Sequence, residues 1–204
     1  MKRLFVPVAI AWAVAVTWRA APRAQQPAVD GPRYASDGKL LRPGDYRDWA
    51  YLTTGLGMTY GSAEAASSRP QNFDNVFVNR EAYRHFMATG HWPDQAIFVL
   101  EIRSAEDHVS INNSGHTQGK LLAIEASVKD AARFPATTWA YFDFGPASNP
   151  ARSAAPLPES AACYSCHKNK TAVEWTFVQF YPTLFEVAQR LGTVKPTYDS
   201  SRKP

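Results

Sequence analysis

The run Cys163-Tyr164-Ser165-Cys166-His167 constrains this chain more than any other feature. Two thiols three positions apart, with an imidazole directly after the second, have the spacing of a covalent c-type haem attachment site. Each thiol can add to one vinyl group of a single haem, and the imidazole can then take an axial position on the iron. These are the only cysteines in 204 residues, so neither is left over for another role. The reading is one covalent haem c per chain, held by Cys163 and Cys166, with His167 as the metal ligand.

Other uses of the motif remain open on spacing alone. A structural disulfide here would close a very small loop, where cross-linking gains least. A redox pair calls for a βαβ setting, which the flanking sequence lacks. A zinc site needs about four ligands, and no second Cys/His cluster stands at metal-ligand spacing.

The amino-terminal sequence agrees with the haem reading. Met1-Lys2-Arg3 is a short basic start, residues 4–18 are almost entirely apolar, and small and polar residues follow around Ala24. This is the layout of a secretory signal over residues 1–24, and the apolar run is short for a membrane span. An uncleaved anchor flanked by Arg19 and Arg23 is the alternative. Either one delivers the domain outside the cytoplasm, to a periplasmic or secreted location. Losing residues 1–24 takes away four of the 22 basic residues and none of the 18 acidic ones. The remainder carries no formal net charge and no Lys/Arg-rich run, which argues against a nucleic-acid partner.

About 180 residues remain, enough for one domain around a cofactor. Residues 25–44 read as a flexible lead-in, 45–192 as the domain and 193–204 as a tail. Tyr46, Trp49 and Leu52 are spaced for one face of a helix over 45–52, and 53–68 reads as loop. A strand is expected at 75–78, with Asn79 capping a helix over 80–89 that Gly90 ends. Further strands are expected at 96–103, 121–129 and 138–144. Residues 145–158 read as a linker, the haem motif as helical and 182–191 as a last helix. The fold class is α+β, mainly antiparallel sheet. Small helical His/Met cytochromes are disfavoured, because Met58 and Met87 precede the motif and no methionine follows it. The strands argue against a four-helix bundle.

Several segments together resemble the cytochrome P-460 family, including its beta-type cytochrome c-prime relatives. They are the late Cys-x-x-Cys-His, the stretch Val128-Lys129-Asp130 through Arg133-Phe134-Pro135 to Thr138-Trp139, and Trp92-Pro93-Asp94-Gln95-Ala96-Ile97 after Phe77-Val78-Asn79. The resemblance covers roughly residues 45–190. It implies an antiparallel sheet with helices, commonly a homodimer, and one c-type haem with His167 proximal and the distal side open. It also implies oxidation of hydroxylamine or binding of nitric oxide, and a redox partner cytochrome. The hydroxylamine-oxidising members need a lysine bonded to the haem edge. The corresponding position here is Leu100, which favours the non-cross-linked, ligand-binding branch. Lys120 and Lys129 read as solvated strand ends.

Alternation places Ala96, Phe98, Leu100 and Ile102 on one strand face. Phe98 and Leu100 are therefore candidates for an apolar haem-pocket wall, against ordinary core packing. Of the other histidines, His85 and His91 read as surface residues. His108 and His116 lie in a polar loop, from which His116 could reach the haem as a ligand or proton donor. Glu101 and Glu125 are candidate proton acceptors or simply outward-facing strand residues. The rival function is a six-coordinate electron carrier, with His116 or Met87 as the distant sixth ligand.

Overall fold

The computed structural model describes residues 30–60 and 70–199. The expected signal, 1–24, lies outside the described residues. Among the described residues seven strands form: β1 (Leu40–Leu41), β2 (Ala50–Leu56), β3 (Asn72–Val78), β4 (Ile97–Glu106), β5 (Thr117–Lys129), β6 (Trp139–Pro146) and β7 (Ser153–Ala154). Three helices accompany them: α1 (Arg80–Thr89), α2 (Ala162–Lys170) and α3 (Pro182–Leu191). Strands β2 to β6 make one antiparallel meander in sequence order, and β1 pairs with β7. The fold is α+β, mainly antiparallel, with the motif on a helix near the carboxyl end.

Strand alternation divides the interior in two. Phe98 and Trp139 pack with α1, α3 and Trp92 on one sheet face. Ile97, Val99, Ala126, Val128 and Phe142 pack with Leu40, Tyr46 and Trp49 on the other. Each large side chain buried this way contributes roughly 1.5–3 kcal/mol, so both faces are anchored. Helix α1 spans the expected residues and ends at Gly90, whose φ of +72° suits a residue without a Cβ. A Cβ there would also press on the Thr193 side chain.

Several expectations change, the 145–158 linker among them, since β6 runs on to Pro146 and Ser153–Ala154 is β7. The helix over 45–52 does not form. Tyr46–Asp48 makes one 3-10 turn, after which the chain extends and Ala50 pairs with Val78. The loop reading of 53–68 fails at its start, since residues 53–56 belong to β2. Part of the 25–44 lead-in is built into the fold: Leu40 is fully buried, and β1 staples the start of the described chain to β7. In each case pairing with a distant segment overrides the local pattern.

Candidate functional site

Helix α2 puts Cys163 and Cys166 one turn apart, with His167 four positions on from Cys163, so the three side chains share a face. That face lines a cavity of about 450 Å³, within the roughly 300–1,000 Å³ of cofactor pockets. The meander supplies the opposite wall. Val76, Leu100 and Glu125 lie side by side on β3, β4 and β5, and Asp74 lies beside Ile102. All five line the cavity, as does Phe98. The alternation read from the sequence is correct: Phe98, Leu100 and Ile102 face the motif. Phe98 also packs against Trp92 and Trp139, so it serves core and cavity together.

The His167 ring is held on several sides. Its Nδ1 lies 2.7 Å from the Trp175 carbonyl oxygen, which can only accept, so Nδ1 carries the proton and Nε2 has a free lone pair. The Tyr141 and Phe177 rings contact the imidazole at 4.5 and 4.6 Å. Burial lowers the His167 pKa, the Trp175 bond opposes this, and the Lys195 charge adds to the lowering. The result is a neutral imidazole, the form a metal needs. The two thiols are free, and burial raises that of Cys163.

The cavity is apolar with a few polar groups. Tyr141 lines the cavity, and its buried hydroxyl has no hydrogen-bond partner among the described residues. Burial, then the charges of Asp143 and Asp74, raises the Glu125 pKa, and burial raises that of Asp74. Glu101 points the other way. It is 2 % exposed, accepts hydrogen bonds from Tyr46, Arg47, Arg103 and Asn75, and is no part of the cavity. Of the two glutamates singled out in the sequence, only Glu125 reaches the site.

His85, His91, His108 and His116 are exposed, and none lines the cavity. Met87 packs against the helical core instead. Lys120 is exposed as expected, but Lys129 is not a solvated strand end: its Nζ lies 2.8 Å from Glu174, with the side chain 21 % exposed. Sequence reasoning missed Met58, Asp74, Tyr141 and Trp175. Period-two alternation with Val76 could have flagged Asp74. Nothing local could flag Met58, which a turn after β2 brings over the cavity, its side chain filling the space where Gly55 has no Cβ.

The chain matches the family model for cytochrome P-460 over residues 43–178. It belongs to the cytochrome P-460 family. No curated protein matches it. The matched span contains the motif, the Trp175 carbonyl and the whole cavity lining except Phe180 and Tyr181. Membership implies a haem cofactor. The residues fit one: paired thiols and a neutral imidazole on one wall, a sheet face of Val76, Phe98, Leu100 and Ile102 with the Asp74 and Glu125 carboxyls on the other, and in the lining a buried Tyr141 phenol without a hydrogen-bond partner among the described residues. Among the described residues no helix is long and apolar enough to cross a membrane.

Proposed function

We propose that this cytochrome P-460 family protein is an exported mono-haem c-type cytochrome that takes up nitric oxide or a related small nitrogen species, such as hydroxylamine. Cys163 and Cys166 would hold the haem covalently, and His167 would ligate its iron through Nε2. The haem supplies a redox-active iron with a coordination position for a small ligand. One observation carries the reading: both thiols and His167 open onto a single cavity whose facing wall presents Val76, Leu100 and Ile102 beside Asp74 and Glu125. The apolar side chains of that wall favour a small neutral ligand. By the resemblance, Leu100 stands where the hydroxylamine-oxidising members carry their cross-linking lysine, which supports the non-cross-linked branch. Burial raises the pKa values of Glu125 and Asp74, so that each carboxylate, when ionised, is a stronger base than in water and can accept a proton from a protic substrate such as hydroxylamine. A homodimer and a redox partner cytochrome are part of the same proposal.

A second reading has its own support. Met58 lines the cavity and carries a thioether able to ligate iron, which would make the protein a six-coordinate electron carrier. Optical spectra of the reduced protein separate the two. The first reading expects a five-coordinate, high-spin ferrous haem, altered by nitric oxide and without the red-shifted band of a lysine-linked haem. A low-spin spectrum indifferent to nitric oxide, converted to high-spin by Met58→Ala, establishes the second. Covalent haem retained in a Cys163→Ala/Cys166→Ala double variant would defeat both. Haem incorporated normally into a chain lacking residues 2–24 would defeat the export claim.

A further inference from the structure

The bond from His167 to the Trp175 carbonyl depends on the turn that follows α2. Residues 171–176 fold back at the end of α2, with Val173 bridging Thr176 and the Thr171 hydroxyl within 2.6 Å of the His167 carbonyl and 2.9 Å of the Glu174 carbonyl. At its apex Glu174 has a φ of +47°. That left-handed conformation is unfavourable by roughly 1–2 kcal/mol for a residue with a Cβ. The Glu174 side chain compensates. Its carboxylate lies 2.8 Å from Lys129 Nζ and accepts the Trp92 amide at 3.2 Å, and Lys129 Nζ donates to the Trp92 carbonyl at 2.7 Å. Lys129 and Glu174 are only 21 % and 20 % exposed, so water screens the pair weakly. The Trp92 indole adds a 2.8 Å bond to Thr176. The turn is thus clamped to the end of β5 and to the segment before β4.

We propose that the Glu174–Lys129 ion pair is a positioning device for the axial ligand: it holds the Trp175 carbonyl against His167 Nδ1 and thereby sets the orientation and donor strength of His167 Nε2. The inference rests on the haem reading above. The chain of cause is short. Glu174 precedes Trp175, so releasing the carboxylate frees the peptide that carries the accepting oxygen. A weaker bond at Nδ1 makes Nε2 a poorer donor, and a poorer donor stabilises ferric iron less.

The test uses the holoprotein and two variants that avoid a folding ambiguity. Glu174→Gly removes the carboxylate while keeping a residue at ease with positive φ, and Lys129→Met removes the charge while keeping the aliphatic stem. Each should raise the haem midpoint potential. A change of about tenfold in the ferric preference is typical of such outer contacts, which is ~59 mV for one electron. In the five-coordinate ferrous state each should also move the iron–histidine stretching band to lower frequency. Lys129→Arg should restore both readouts towards the parent. Lower thermal stability with parental potential and frequency in both variants would reduce the pair to a structural staple and overturn the proposal. A parent protein without covalent haem would instead defeat the reading beneath it.

Discussion

Two glutamates on adjacent strands show how the side of a sheet decides what a carboxylate does. Glu101 on β4 faces the closed core, and Glu125 on β5 faces the cavity. Burial alone would raise the Glu101 pKa from its ordinary 4.5, but hydrogen bonds from Tyr46 and Arg103 and the charges of Arg103 and Arg47 outweigh it and leave the value lowered. Glu125 has no such donors, and its value is raised. The signs for stability follow. A lowered folded-state value contributes stability above the ordinary carboxylate range, lost as pH falls through the folded value. A raised one contributes below that range, and the contribution is lost as pH rises through the folded value. Glu101→Gln should therefore destabilise at pH 7, by about 3 kcal/mol for a partner removed from a buried pair. Glu125→Gln should raise the melting temperature at pH 7. Both differences should shrink as the pH is lowered towards 3.5: the Glu125 carboxyl becomes neutral in either state, while Glu101, with its lowered folded-state value, sheds its contribution last. Thermal melts of the three proteins at the two pH values check this, and a Glu125→Gln protein less stable at pH 7 would contradict the assignment of its environment.

At the scale of elements, helix α1 separates what local sequence specifies from what it does not. Its bounds and its Gly90 stop were legible, because capping and periodicity are local. The job of Asn79 was not. Its backbone carbonyl accepts the Tyr83 amide, but its side chain makes no cap bond. Its Oδ1 accepts instead from the buried Ile97 amide at 2.9 Å, joining the start of α1 to the start of β4. Asn79→Ala should cost about 1–3 kcal/mol by leaving a buried amide unpaired, seen as a lower urea midpoint with helix content unchanged. Asn79→Ser, an equally good cap but too short to reach, should not rescue it. The failed helix at 45–52 teaches the same lesson. Three residues at a spacing of three fit a helix or a turn followed by a strand, and pairing with β3, more than twenty residues away, decides. The site divides likewise: the motif and the β4 alternation could be read directly, whereas Met58, Tyr141 and Trp175 reach it through long-range packing.

For the molecule as a whole, the two walls of the cavity are unequally supported. The sheet is anchored on both faces by buried clusters. Helix α2 has only Tyr164 buried, and its cavity side is two thiols and an imidazole. Haem bound between them is therefore expected to act as a tie from α2 to the sheet, and its loss to be felt unevenly. A ligand held at a hundredfold above its dissociation constant adds ~2.7 kcal/mol. For a domain of this size that corresponds to roughly 5–10 °C in melting temperature. The haem-free Cys163→Ala/Cys166→Ala protein should melt lower by about this much. Its amide exchange should rise in Ala162–Lys170 and in the 171–176 turn, while β3, β4 and β5 stay protected. Uniform loss of protection across the sheet would show that the cofactor organises the whole fold, and unchanged protection in α2 would show that the helix stands without it.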